Sequence, residues 1–245
     1  MKKRKVALIT GASKRIGASI VRELHHSGYN VIIHYGSSAE IAHDLATSLN
    51  LQRENSATCL QGDLLSIESI EALAKKAVSA WGGINALVNN ASSFYPTSIE
   101  SATEKDWDNL LGSNLKGPFF LTQQLLKTLT SHRGCVVNII DIHADKPLSN
   151  HPIYCMAKAG LAMMTKSLAK DLAPDIRVNG VSPGAILWPE TENETKEKLA
   201  ILEKIPLKSI GETSDIANTV KFLVEDAPYI TGQILTVDGG RSLSM

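Results

Sequence analysis

Tyr154 and Lys158 stand four residues apart in a stretch, Pro152 to about Ala173, whose pattern predicts one helix. That spacing puts both side chains on one face, one turn apart. An ammonium beside a phenol favours the phenolate. A unit charge about 4 Å away, at an effective dielectric near 20, is worth roughly 4 kcal/mol, or about three pKa units. The pair is therefore expected to draw the tyrosine from its usual pKa of about 10 toward neutrality, where a general acid or base works best. Taken alone, the same spacing describes an ordinary exposed helical pair.

Other residues suit the same chemistry. Asp141 precedes Tyr154 by thirteen positions; it either caps the loop after its strand or serves as a second proton donor. Asn114 falls inside a predicted helix, where asparagine is unfavourable, so a polar contact must hold it there. Gly11 and Gly17 flank a turn whose backbone N–H groups and following helix N-terminus can hold a pyrophosphate. Arg15 lies in that turn; a cation opposes the dipole there unless an anion binds. Phe94 follows a strand end in a Ser-rich loop and reads either as core or as a ligand-facing ring.

The elements that must position these residues alternate regularly. Short apolar runs at Val6–Thr10, Val31–Ile33, Ala57–Gln61, Ile84–Asn89, Val136–Ile140, Ile176–Val181 and Ile234–Val237 read as strands. Helical patterns separate them, including one long helical region from about Thr103 to Leu129 with an expected bend near Gly117-Pro118. Continuous Val/Ile/Leu strands alternating with helices predict a mostly parallel seven-stranded sheet with helices on both faces. The first strand, Gly-rich turn and helix make it an α/β, doubly wound Rossmann domain, single over residues 1–245. In such sheets ligands bind beyond the carboxyl ends of the strands, and each candidate above falls there.

Composition narrows the class. The 245 residues are 43% hydrophobic and 20% charged, with 25 Lys+Arg against 25 Asp+Glu, so no net field recruits nucleic acid or an anionic membrane. No apolar stretch approaches the length of a membrane span. Cys59, Cys135 and Cys155 are unclustered and lie in or beside apolar segments, which suggests buried free thiols in a reducing cytoplasm. No Cys/His cluster has metal-ligand spacing, and His25-His26 reads as a solvated helix end.

Thr10-Gly11-x-x-x-Arg15-x-Gly17, Asn89-Asn90-Ala91, Asn114 and Tyr154-x-x-x-Lys158, in that order, resemble the short-chain dehydrogenase/reductases. The similarity runs through Pro183-Gly184 to Val237-Asp238-Gly239-Gly240, essentially the whole chain. Two departures narrow it: Arg15 replaces the family's middle glycine and Asp141 its usual serine. Together with Asn89 to Pro96 and His34-Tyr35-Gly36-Ser37-Ser38, they resemble the pteridine reductase subgroup.

That resemblance implies reduction of pterins, with dihydrofolate as a further substrate and a place in folate metabolism. Tyr154 and Asp141 would supply the proton, and Lys158 would hold the cofactor ribose. Asn114 would connect Lys158 to solvent through a water or backbone carbonyl. Arg15 would touch cofactor phosphate and pterin, Phe94 would stack on the pterin, and Ser92 and Trp188 would line its pocket. The dinucleotide would lie along Gly11, Lys14, Arg15 and Ile16, then His34, Tyr35, Ser37 and Ser38. Asp63 and Leu64 would meet its adenine, with Asn90, Ala91, Ser92, Pro183 and Gly184 nearer the nicotinamide. A homotetramer is implied as well. The alternatives are a carbonyl or 3-oxoacyl-carrier-protein reductase, or a non-catalytic NADPH-sensing regulator.

Cofactor choice follows from an absence. NAD sites place an acid about 20 residues past the glycines, on the ribose hydroxyls. After the second strand this chain has no acid until Glu40. The segment lacks repulsion against a 2′-phosphate and offers hydroxyls, with Lys14 nearby, so NADPH is expected.

Overall fold

A computed structural model describes residues 4–186 and 195–245. The strands are β1 (Val6–Ile9), β2 (Asn30–Tyr35), β3 (Ala57–Gln61), β4 (Ala86–Asn89), β5 (Cys135–Ile139), β6 (Arg177–Pro183) and β7 (Ile234–Val237). They form one sheet in the order β3-β2-β1-β4-β5-β6-β7, every neighbouring pair parallel. The order reverses between β1 and β4, which opens the crevice where such sheets take ligands.

Alternation along each strand assigns its side chains to two cores. In β1, Ala7 and Ile9 join a core with Ile20, Val21, Leu24, Leu45 and Val220. Val6 and Leu8 point the other way, toward Ile70, Leu73, Leu121 and Leu125. The helices behind those residues are α1 (Arg15–His26), α2 (Ala39–Gln52) and α9 (Thr213–Lys221) on the first face. On the second face lie α3 (Ile67–Trp81), α5 (Gly117–Gln124), α6 (Leu126–Ser131) and α7 (Pro152–Leu172). The remaining helices are α4 (Glu104–Leu111) and α8 (Thr195–Lys204). Among the described residues no helix is long and apolar enough to cross a membrane.

Local chemistry sets the helix ends. Ser66 caps α3 by accepting from Ser69 N–H at 3.2 Å. Thr103 and Asp106 form a reciprocal capping box on α4.

The structure revises two local expectations. The region from Thr103 to Leu129 is not one bent helix: α4 passes into a π-helical turn, Gly112–Lys116, before α5, and a further break falls at Leu125. The irregularity therefore precedes Gly117-Pro118, and Asn114 sits in its middle. His25 is not solvated but buried, its Nε2 2.7 Å from Ser56 Oγ, and burial holds its pKa below the ordinary value. The apolar stripe of α1 continues around to position 25, which periodicity over polar letters does not reveal.

Arg177, at the start of β6, caps a π-helical turn (Phe222–Asp226) that continues α9. Its guanidinium donates to Leu223 O at 2.7 Å, Val224 O at 3.1 Å and Ala227 O at 3.1 Å. Terminal carbonyls otherwise lack intrahelical partners, and a cation there complements the helix dipole. Arg177→Met keeps the apolar stem and removes these donors. It is expected to lower stability in urea unfolding by about 2–4 kcal/mol; a loss under about 1 kcal/mol would mean that water serves the carbonyls equally well.

Candidate active site

The crevice is built where β1 and β4 end. Thr10 Oγ1 accepts from Asn90 N–H at 2.9 Å and Ala91 N–H at 3.0 Å. In return, Asn90 Nδ2 donates to Thr10 O at 2.8 Å and Gly11 O at 2.9 Å. The strand exits lie so close that a Cβ on Gly11, whose φ is +58°, would meet Ala91 Cα at 2.8 Å. Glycine is required there on both counts.

His34 fixes the other side of the turn. Gly11 N–H donates to its Nδ1 at 3.1 Å, so the proton lies on Nε2, which is 3.1 Å from Gly62 O. Burial also keeps its pKa below the ordinary histidine value. Both ring nitrogens are thus taken. His34 supports the glycine turn through both nitrogens while its ring lines the groove.

The N-terminus of α1 is open: Lys14 makes no side-chain cap bond, and the first turn contains no acid. Arg15 has φ +51°, a left-handed conformation costing a non-glycine residue about 1–2 kcal/mol. Open helix N–H groups beside Lys14 and Arg15 suit a phosphate group. A cleft of about 840 Å³ starts here; Lys14, Arg15, Ile16, Tyr35, Ser37, Ser38, Asn90, Ala91, Ser92, Pro183 and Gly184 all line it. A second cavity of about 630 Å³ shares Gly11, Ser37, Ala91 and Ser92 with it and brings in His34, Asp63, Leu64 and Gln61. Together they form a groove along the carboxyl edge of the sheet, of a shape and polarity that fit a dinucleotide.

At the far end are the candidate catalytic groups. Asp141 leaves β5 in extended conformation and accepts at both carboxylate oxygens. Oδ1 takes His143 N–H at 2.8 Å, and Oδ2 takes the Tyr154 hydroxyl at 2.8 Å. Pro152 opens α7, where its missing N–H costs no helical bond. Lys158, one turn beyond Tyr154, is buried and donates from Nζ to Ile139 O at 3.0 Å.

This arrangement reverses the expected electrostatics. Tyr154 is buried, and burial, followed by the Asp141 charge and hydrogen bond, raises its pKa well above the ordinary value; a contact with Ser92 opposes this. Lys158 does not depress it: its Nζ lies 5.7 Å from the Tyr154 ring centroid and is bonded to a carbonyl. Burial instead pushes Lys158 down to about 8, against the opposing pull of Asp141. Before any ligand binds, Tyr154 is a phenol that keeps its proton, a donor aimed along a carboxylate.

Asn114 is fully buried. Its Nδ2 donates to Leu110 O and Ser93 O, each at 2.9 Å, and its Oδ1 accepts from Ser92 Oγ at 2.7 Å. It pins the loop after β4 against the π-helical turn, an irregularity frequent at functional sites. Phe94 is 56% exposed and lines the same cleft. Trp188 lies outside the described residues. The sequence reading missed two histidines. His143 is buried beside Asp141 and lines the cleft, with Nδ1 2.8 Å from Lys146 O. His151 stacks on Phe94, with ring centroids 4.8 Å apart and an interplanar angle of 11°. Adjacency to Asp141 and Pro152 was the only signal for either.

Residues 11–242 match the family described as enoyl-(acyl carrier protein) reductase. With the sheet order, glycine turn and Tyr154/Lys158 pair in place, the chain belongs to the short-chain dehydrogenase/reductases, a class of nicotinamide-dependent oxidoreductases. It is similar to pteridine reductase 1 of Leishmania tarentolae, 36% identical over 98% of this chain and 96% of that one. It is equally similar to a 3-oxoacyl-(acyl-carrier-protein) reductase of Staphylococcus aureus, 37% identical over 98% and 99%. A 3-oxoacyl-(acyl-carrier-protein) reductase of Synechocystis is 34% identical over 96% of both chains. As in reductases of this family, the cofactor is NADPH.

The Lys158 shift sets a sign for stability. Its folded pKa, about 8, lies below the ordinary 10.5. Below pH 8 both states are protonated and the full burial cost is present. Between 8 and 10.5 the unfolded chain binds more protons, so stability must rise with pH. The cofactor-free protein should gain about 2 kcal/mol relative to Lys158→Met between pH 7 and 9.5, read from urea midpoints. Parallel curves for the two proteins would show that Lys158 is charged throughout.

Proposed function

We propose that the protein reduces dihydropterins with NADPH. The observation that carries this reading is the 2.8 Å bond between the Tyr154 hydroxyl and the Asp141 carboxylate. A pterin edge presents ring nitrogens beside N–H and amino donors. A tyrosine that keeps its proton can protonate a ring nitrogen, while a carboxylate beside it accepts from the neighbouring donors. A ketone offers only acceptor lone pairs, so that carboxylate would find no donor on it. Arg15 supplies fixed donors for the pterin oxygen and the cofactor phosphate, and Phe94 a stacking face.

Bound NADPH supplies the hydride. Lys14, Arg15 and the open end of α1 hold phosphate. Lys158, already at the back of the pocket, would hold ribose hydroxyls. Asn114 keeps Ser92 and Ser93 in register with Tyr154. The second reading, a 3-oxoacyl-carrier-protein reductase, is favoured by the relatives of that name at similar identity. Exposed Phe119, Leu126, Met156 and Met163 on α5 to α7 support assembly into the homotetramer that the family resemblance implies.

NADPH oxidation followed by absorbance, with dihydrobiopterin, dihydrofolate and a β-ketoacyl ester side by side, tests the proposal. Dihydropterin should be the best substrate, and Asp141→Ser should lower its turnover by about tenfold or more with NADPH affinity little changed. Faster reduction of the ketoester by the unmodified protein would transfer it to the second reading.

Cofactor choice has its own test. Ser38 starts α2 without a side-chain cap bond, and no acid follows β2 before Glu40. NADPH should be preferred over NADH by at least about tenfold, or roughly 1.4 kcal/mol, and Ser37→Asp should erase that preference. Equal efficiency with both cofactors in the unmodified protein would contradict this.

A further inference from the structure

We propose that His151 is a positioning residue: its imidazole, stacked on Phe94, holds that ring against the Tyr154 ring as a platform for a flat heteroaromatic substrate. The flatness of the substrate rests on the pterin reading above; the positioning of Phe94 rests on geometry alone.

Phe94 occupies a loop and is 56% exposed, so packing alone does not select its rotamer. Two rings do. His151 lies parallel to it, at 4.8 Å and 11°, and Tyr154 meets it edge-on, at 4.8 Å and 75°. Both geometries are favourable for aromatic pairs. Tyr154 is fixed by burial and by Asp141, so the adjustable partner is His151.

His151 is itself held firmly. Its Nδ1 lies 2.7 Å from Ser149 O; a carbonyl only accepts, which places a proton on Nδ1 and sets the ring's orientation. Asn150 before it has φ +60°, a left-handed conformation that asparagine tolerates better than most residues. The Asn150 carbonyl accepts from Thr97 N–H at 2.6 Å. That bond ties the loop bearing Phe94 to the loop leading into α7. The two loops are thus joined twice, once through the backbone and once through the ring stack.

The consequence is a division of labour. Among the described residues, the His151 ring bonds to no member of the Asp141, Tyr154 and Lys158 group. Its backbone carbonyl accepts from Cys155 N–H at 3.0 Å, a bond that any residue at 151 would keep. Removing the imidazole should release the Phe94 ring without disturbing proton transfer. Substrate would then have to order the platform as it binds, which weakens binding and leaves the chemical step alone.

The test is a double-mutant cycle on the NADPH-dependent reduction of dihydrobiopterin. His151→Ala should raise KM about two- to tenfold, the range of one aromatic pair, with kcat within about twofold. His151→Phe, which keeps a stacking ring, should restore KM. In a Phe94→Ala background, His151→Ala should add nothing. Additive losses, or a fall in kcat with KM unchanged, would overturn the proposal. A substrate-free measurement separates it from the pterin reading. The His151 Cε1–H resonance should lie upfield through the Phe94 ring current and move downfield in Phe94→Ala. If the unmodified protein does not reduce dihydrobiopterin, the pterin reading fails and this resonance decides the positioning role. Movement supports it, and a resonance that stays put overturns it.

Discussion

The clasp between the ends of β1 and β4 is the constraint on which the rest of the site depends. Thr10 Oγ1 receives two backbone N–H groups from the β4 exit, and Asn90 returns two bonds to the β1 exit. Strand order reverses between these strands, so without the clasp the crevice could splay. With it, glycine is forced at position 11, His34 can reach the turn from β2, and α1 begins with its N–H groups facing the groove. The loop after β4 leaves in a fixed direction, bringing Ser92 to Asn114 and Phe94 to Tyr154.

The electrostatics of the catalytic end follow from depth more than from sequence spacing. Tyr154 and Lys158 are one turn apart as the helical period requires, yet the ammonium donates to Ile139 O and the phenol to Asp141. Burial disfavours the charged form of each group, raising the tyrosine and lowering the lysine. A phenol that retains its proton suits a reductase, which must donate one as the substrate accepts hydride. The lysine, bonded to the Ile139 carbonyl, takes no part in setting that proton.

Much of this was legible in the sequence, for identifiable reasons. Buried parallel strands carry uninterrupted apolar runs, so β3 and β7 were read to the residue, and the others were displaced by one or two positions at their ends. The Gly-rich turn, Tyr154, Lys158 and Asp141 were legible through the resemblance that they carry together, since each alone also suits an ordinary structural position. His25 was read as solvated, His143 and His151 were passed over, and the support that His34 gives the glycine turn was not foreseen. A histidine letter carries no mark of whether it faces solvent, core or cleft, and their partners lie at Ser56, Gly62, Lys146 and Phe94. The π-helical turn around Asn114 was also invisible, since it depends on where the Asn114 amide finds carbonyls across the fold.

Relatives with two different substrate names match this chain about equally well, which locates specificity outside the shared frame. Sheet order, glycine turn and the Tyr154/Lys158 pair serve any reductase of the family. What can choose a substrate is the wall facing Tyr154: Asp141 from the end of β5, Arg15 from the left-handed turn, and Phe94 from the loop after β4. Arg15 sits at positive φ, a conformation that glycine would adopt at no steric cost. A strained arginine persists where its side chain offsets that strain, and Arg15 lines the cleft in which the proposed reading puts a phosphate. Asp141 is held by two hydrogen bonds in an orientation that presents an acceptor rather than a hydroxyl. Asp141, Arg15 and Phe94 thus stand on three separate elements around one cleft, and the proposed preference for a flat, nitrogen-rich substrate rests on them.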